Sequence, residues 1–382
     1  MVKRREFQGL SLPRLAMGNM RLPTVGDYRG APVDEEKAAA IIDTCFQNGV
    51  NYFDTAWMYH GGQSEKFLGR TLTRYPRDSY FLATKMPGFS LQEGQPASEI
   101  FEEQLARCQT DYFDFYLLHN VSERTVPVYN DPERGIIPYL LEQKRLGRIR
   151  HFGFSSHAKP ETLRAFLNRW DCFEFVQIQL NYLDWTLQDA KQQYEIITGH
   201  GLPVWVMEPC RGGRLASLSP EADSMLRSAR PDKSVASWAF RYLLGLEGVQ
   251  IILSGMTTME QAEDNIATFT EGAPLDSQES ATLQKALSLM LSQINVPCTA
   301  CHYCDGCPMD IEIPDILALY NSFALDPGPD IHASLEKFTA QPSDCIACGA
   351  CAAKCPQNID IPGAMEKFAA AIAAQPRPQP HP

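Results

Sequence analysis

Over its first 270 residues the chain alternates short strand-like segments with amphipathic helical ones. The strand-like segments are Leu15–Gly18, Asn51–Asp54, Ser79–Thr84, Phe113–Leu118, Ile149–Phe154, Phe175–Leu180, Pro203–Met207 and Val249–Leu253. Helical periodicity fills the gaps, for example over Asp34–Asn48, Ser98–Cys108 and Lys159–Asn168. Strict alternation of this kind needs a parallel sheet, because parallel neighbours require a crossover. A doubly wound sheet would satisfy it, but such a sheet carries a Gly-rich turn after its first strand, and no G-x-G-x-x-G occurs here. The pattern therefore favours an α/β fold of the (β/α)8 TIM-barrel type. Asp276–Leu291 reads as one further helix.

The cysteines mark a second domain. Four of the twelve (Cys45, Cys108, Cys172, Cys210) lie in the first 290 residues, in strand or helix patterns that suit buried thiols. The other eight fall in the last 92 residues, where acidic residues outnumber basic ones by 10 to 4. An octapeptide pattern repeats there: Cys307-Pro308-x-x-Ile311-x-Ile313-Pro314 matches Cys355-Pro356-x-x-Ile359-x-Ile361-Pro362. Each copy follows a triplet of cysteines and precedes a helical segment. The expected organisation is a barrel over 1–290, a small, mainly α-helical, duplicated cysteine domain over 291–370, and a Pro-rich disordered tail over 371–382.

The second copy reads Cys345-x2-Cys348-x2-Cys351-x3-Cys355-Pro356. This is the spacing of bacterial ferredoxins, in which three close thiolates take three corners of a [4Fe–4S] cube and the fourth reaches a neighbouring cluster. Zinc also binds C-x2-C pairs, but two such pairs suffice for one ion, and the triplet with C-P is the more specific pattern. The first copy, Cys298-x2-Cys301-x2-Cys304-x2-Cys307-Pro308, is one residue shorter in its last gap. By analogy with two-cluster ferredoxins, one cluster would use Cys298, Cys301, Cys304 and Cys355. The other would use Cys345, Cys348, Cys351 and Cys307. A single cluster with spare cysteines is the alternative.

Formal net charge is −12, which argues against nucleic acid and anionic membranes as partners. No apolar run approaches the roughly 18 residues of a membrane span. The basic start, Met1 to Arg5, lacks the apolar stretch of a secretory signal. A cytoplasmic location follows as an expectation, since thiols are kept reduced there.

Within the barrel, Asn51-Tyr52-Phe53-Asp54-Thr55-Ala56-Trp57-Met58-Tyr59 pairs an aspartate with a tyrosine five residues on. Phe81-Leu82-Ala83-Thr84-Lys85 ends a strand in lysine, and Asp111 to His119 ends one in histidine. Together with Gly153-Phe154-Ser155-Ser156 and Val176-Gln177, these segments resemble the aldo-keto reductase family over about residues 5 to 270. The full chain resembles the branch with a C-terminal ferredoxin-like domain.

Residue chemistry agrees with that resemblance. Asp54, Lys85 and His119 fall at C-terminal strand ends and Tyr59 just beyond one, on the face where barrels place their chemistry. A carbonyl reduced by hydride needs a proton donor, and a free phenol, with a pKa near 10, is a poor one at neutral pH. The assignment is Tyr59 as general acid, Lys85 as the cation that lowers its pKa, Asp54 as the lysine's partner and His119 as carbonyl orienter.

The resemblance implies NADP or NAD as cofactor. Ser155, Ser156 and Gln177 would bind the nicotinamide carboxamide, and Met207 would pack on the ring. Gly212, Gly213 and Leu215 would lie along the pyrophosphate. Ser254, Gly255, Met256, Gln261 and Asn265 would hold the adenosine end, where few cations are available for a 2′-phosphate. Trp57, Met20, Met86 and Asn120 would line a pocket for a small carbonyl or alcohol. Hydride transfer needs no iron, so two other readings stand beside a simple reductase. One is an electron-transfer enzyme fed through the clusters by a redox partner protein, with a flavin or substrate radical joining one- and two-electron chemistry. The other is a non-catalytic nicotinamide or redox sensor. The clusters could also serve only to stabilise a small domain.

Overall fold

The computed structural model describes residues 1–26, 30–92, 94–293, 295–325 and 331–375. Two compact units are present. One comprises Met1–Cys210 with Arg230–Ser280, the other Arg211–Ala229 with Ala281 to the C-terminus. The helix Ser277–Gln293 runs across the junction at 280, ten residues before the boundary expected from composition. The segment 211–229, sequentially inside the barrel, groups with the second unit.

Among the described residues ten strands form, all in the first unit. β1 (Arg4–Phe7) and β2 (Leu10–Pro13) pair antiparallel through a Gln8-Gly9 turn. Both turn residues have positive φ, 48° and 81°, as a two-residue primed turn requires. This hairpin has no counterpart in the sequence expectation, because two four-residue strands joined by two residues leave too short a period to read. Its Phe7 and Leu12 pack among Tyr52, Phe115, Phe175 and Trp205, and the Phe7 and Trp205 rings meet edge to face at 5.1 Å.

The remaining strands are β3 (Leu15–Gly18), β4 (Tyr52–Asp54), β5 (Phe81–Met86), β6 (Phe113–Val121), β7 (Ile149–Ser156), β8 (Val176–Gln179), β9 (Val204–Met207) and β10 (Val249–Ser254). They close into a parallel barrel in the order β10-β3-β4-β5-β6-β7-β8-β9. Each matches one of the eight expected segments. β6 and β7 extend further than expected, carrying His119, Asn120, Ser155 and Ser156 on their ends. β7 and β8 approach closely at Gly153, where a Cβ would lie 2.5 Å from the Phe175 carbonyl oxygen. Only glycine fits there.

The second unit is helical. Ile313–Leu325 and Ile361–Ala373 are its longest helices after the junction, and each starts at the Ile-Pro that closes one copy of the repeat. Asp360 caps the latter by accepting the Gly363 N–H at 3.1 Å. The isoleucines of both repeats (Ile311, Ile313, Ile359, Ile361) pack with Ile316, Leu317, Met365 and Phe368 into a separate core. Of the tail expected over 371–382, residues 371–373 are the last turn of this helix, and 376–382 lie outside the described residues. No described helix is long and apolar enough to cross a membrane.

Candidate functional site

The four catalytic candidates meet at the C-terminal end of the barrel. Register aligns Asp54 with Ala83 on β5, so Asp54 and Lys85 project from neighbouring strands. Lys85 Nζ donates to Asp54 Oδ1 at 2.5 Å and to the Thr55 carbonyl at 2.7 Å. The Lys85 side chain is 0% exposed and that of Asp54 is 4%. Burial pushes the Asp54 carboxyl up and the Lys85 ammonium down, and each one's charge pulls the other back towards the ionised pair.

Tyr59 opens a tight turn, Tyr59–Gly62, in which His60 and Gly61 are left-handed. His60 Nε2 accepts the Leu22 N–H at 3.1 Å, fixing that turn to the loop after β3. The Lys85 ammonium lies 5.0 Å from the centroid of the Tyr59 ring, and the His119 ring stands edge to face on it at 6.0 Å. Phe89 closes the other side of His119 at 5.2 Å. Burial, then the charges of Asp54 and Glu208, push the Tyr59 phenol well above 10. The phenol is therefore protonated in the fold, with the Lys85 ammonium set against its ring. His119 is driven well below 6.5 by burial, then by Lys85 and His157, so its imidazole is neutral.

A second buried network stands behind Lys85, and sequence reasoning missed it. Glu65 Oε1 accepts from Thr84 Oγ1 at 2.6 Å and from Gln104 Nε2 at 2.7 Å. Gln104 also donates to the Lys85 carbonyl at 3.0 Å. Arg107 pairs with Glu65 Oε2 at 3.2 Å and lies 3.5 Å over the Trp57 ring. A Cβ at Gly69 would meet the Arg107 carbonyl oxygen at 2.3 Å, so this glycine lets the two helices carrying Glu65 and Arg107 touch. The Q-S-E and E-E-Q-L-A-R runs read only as helix, and nothing in their spacing shows that they face each other.

The nicotinamide candidates lie side by side. Register pairs Ser155 with Gln177, and the Asn120 N–H donates to Ser155 Oγ at 2.8 Å. Asn120 is left-handed, with φ 58°. Gln177 Oε1 and Asn120 Oδ1 are buried acceptors without a hydrogen-bond partner among the described residues. Unmet buried acceptors are costly, and a carboxamide NH2 would satisfy them. Ser156 is committed elsewhere: its Oγ donates to the Val121 carbonyl and accepts the Ala158 N–H, both at 3.1 Å. Gln177 Nε2 reaches Met207 Sδ at 3.6 Å, which places Met207 beside the same group.

At the adenosine end, Asn265 Nδ2 donates to Ser254 Oγ at 3.0 Å. Gln261 closes a capping box with Thr258 at the start of the Met259–Glu271 helix, so its side chain serves the helix. Met256 is fully buried in the core. The alkyl chain of Arg21, a cation the sequence reading did not place here, lies against Gly255. Gly212, Gly213 and Leu215 belong to the second unit. Among the substrate candidates, Met20 is exposed, Trp57 is half-buried under Arg107, and Met86 is a fully buried core residue.

The eight C-terminal cysteines gather as two quartets. Cys298, Cys301, Cys304 and Cys355 line one cavity, and Cys307, Cys345, Cys348 and Cys351 line another. Each quartet thus takes three cysteines from one repeat and one from the other. Four cysteine donors on each cavity fit a thiolate-bound iron–sulfur cluster. The Ala300 N–H points at Cys298 Sγ at 3.4 Å, and amides of Gln357, Asn358 and Ile359 favour a Cys355 thiolate against its burial. Thr299 Oγ1, fully buried on the first cavity, has no partner among the described residues. Burial pushes the Cys304 thiol up to about 12, a penalty that bound iron would offset.

The closed barrel thus carries Asp54, Tyr59, Lys85 and His119 at its C-terminal mouth. The family model "Aldo/keto reductase family" matches residues 14–288, and the chain belongs to that family. A 4Fe-4S dicluster domain matches residues 297–359. L-galactose dehydrogenase of Arabidopsis thaliana is 27% identical over 63% of this chain and 80% of its own. The NADH-specific methylglyoxal reductase of Escherichia coli is 22% identical over 74% of this chain and 97% of its own. Among solved structures, an aldo-keto reductase from Bacillus halodurans in its holo form is 28% identical, with a TM-score of 0.61 over 75% of this chain and 96% of its own. One from Klebsiella pneumoniae in complex with NADPH gives 0.60 at 22% identity, over 75% of this chain and 95% of its own, and shows the fold.

Proposed function

We propose that the barrel interconverts a small carbonyl compound and its alcohol with NADH or NADPH, and that the C-terminal domain carries two [4Fe–4S] clusters. The observation that carries the reading is the buried Lys85–Asp54 pair beneath the Tyr59 ring, with a neutral His119 beside it. When bound, the dihydronicotinamide supplies hydride to the carbonyl carbon. Ser155, Gln177 and Asn120 hold its carboxamide, which moves Asn120 from the substrate wall to the cofactor. His119 donates a hydrogen bond to the carbonyl oxygen, polarising it. Tyr59, protonated at rest, delivers its proton as the alkoxide develops. The phenolate left behind faces the Lys85 ammonium, which Asp54 holds charged and in place. The relatives named for L-galactose and methylglyoxal support sugar lactols and 2-oxoaldehydes as the first substrates to assay.

The dicluster domain favours a second reading, in which electrons also pass between the clusters and a one-electron partner protein. An anaerobic preparation separates the two. Iron content and visible spectrum are recorded, then NADH or NADPH is added without substrate. Cluster bleaching supports electronic coupling. Carbonyl-dependent nucleotide oxidation without bleaching, falling about 10²-fold or more in Tyr59→Phe, supports the simple reductase. Full activity in Tyr59→Phe would refute the proton-donor role.

A further inference from the structure

The two cysteine repeats are near copies, so any difference between two clusters must come from what surrounds them. Three differences converge on the first quartet. Arg211 is 1% exposed, and its guanidinium donates to the carbonyl oxygens of Pro297 at 2.5 Å and Cys298 at 3.3 Å. Arg214, three residues on, is half-buried and close enough to Cys298 for a thiolate charge there to act on it. Residues 291–382 contain one arginine, Arg377, so both guanidinium groups beside Cys298 come from the 211–229 segment. The third difference is Thr299. Its buried hydroxyl lines the first cavity, whereas the corresponding residue of the second repeat is Ile346, 60% exposed on the other cavity.

We infer that Arg211, Arg214 and Thr299 make the cluster held by Cys298, Cys301, Cys304 and Cys355 the more oxidising of the two. A [4Fe–4S] cluster gains one negative charge when it accepts one electron, with no bond made or broken. Positive charge and O–H···S hydrogen bonds nearby stabilise that reduced form and raise the potential. Two effects oppose this. Asp305 acts on Cys304, one carboxylate against two guanidiniums. Burial of Cys298 and Cys304, at 7% and 9% exposure, disfavours added charge, but the same low dielectric strengthens the pull of the buried Arg211. Cys348 of the second quartet is exposed. With both clusters bound, an electron from a one-electron donor would enter at the second and come to rest on the first. Arg211 and Arg214 are positioning residues here, acting on the cluster through space.

The inference rests on the two-cluster reading, and one experiment tests both. The full chain is purified anaerobically, reduced stepwise with dithionite and followed by electron paramagnetic resonance. The unvaried protein should show two reduced-cluster signals at different potentials, and Cys304→Ser should perturb the more oxidising one. Arg214→Gln, Arg211→Gln and Thr299→Val should each move that signal to lower potential. At least one arginine variant should change its reduced-to-oxidised ratio tenfold, 59 mV for one electron. The other signal should stay in place. Arg214→Lys and Arg211→Lys, which keep the charge, should restore most of the shift, and unchanged iron content shows that the clusters remain. A single signal with about four irons per chain overturns the two-cluster reading. Two signals that ignore all three neutral variants, or a shift confined to the less oxidising signal, overturn the inference alone.

Discussion

Lys85 donates to Asp54 at 2.5 Å, and both side chains are buried. A buried pair of this kind is fragile to loss of one partner, because the other is left as an uncompensated charge. Asp54→Ala should destabilise the barrel by about 3–5 kcal/mol. It should also let burial drive the Lys85 ammonium further down, so that kcat/KM falls about 10²-fold or more. Denaturant melts and steady-state rates on the same preparations check both parts.

The imidazoles give a pH dependence with a defined sign. His119 titrates well below 6.5 in the fold, and burial pushes His157 down to about 4. At these two imidazoles the unfolded chain therefore binds more protons than the folded one between pH 6.5 and about 4. Stability rises with pH in that window and is lost as pH falls through it. His157→Gln should flatten the slope of unfolding free energy against pH there, measured in urea. An unchanged slope would place the acid sensitivity elsewhere.

Arg107 ties three groups together: the Glu65 carboxylate, the Trp57 carbonyl at 3.3 Å and the Trp57 ring. Arg107→Ala should cost about 3 kcal/mol or more, since Glu65 is fully buried. With Trp57 loosened beside Tyr59, KM should rise more than kcat falls. Arg107→Lys should rescue little, because an ammonium cannot reproduce the planar stack. Equal losses in kcat and kcat/KM would show that the network acts on the proton donor and not on the pocket wall.

The exchange of fourth cysteines makes a sharp prediction. Cys355 stands in the second repeat but lines the cavity of the first triplet. Cys355→Ser should therefore perturb the signal assigned to Cys298, Cys301 and Cys304, leaving the other largely intact. Perturbation of the other signal would reverse the pairing.

The barrel was legible because each of its strands is a buried apolar run set between helical periods. All eight segments found that way are strands of the closed sheet. The hairpin Arg4–Phe7 with Leu10–Pro13 was not, because its burial comes from plugging a barrel end that no local pattern describes. At the site, Asp54, Lys85, Tyr59 and His119 could be read from strand ends. Glu65, Gln104 and Arg107 could not: they meet only because two helices touch at Gly69. The rise in the Tyr59 pKa was equally hidden, since it depends on burial and on Glu208, whose neighbours are set by the fold.

Each cysteine quartet borrows its last member from the opposite repeat. On the proposed two-cluster reading, neither repeat should mature alone. A chain cut between residues 307 and 345 would keep every first-repeat cysteine and still lack a full set for either cofactor. Iron supply should then act on the C-terminal unit as a coincidence requirement, with both halves of the duplication present before either is useful.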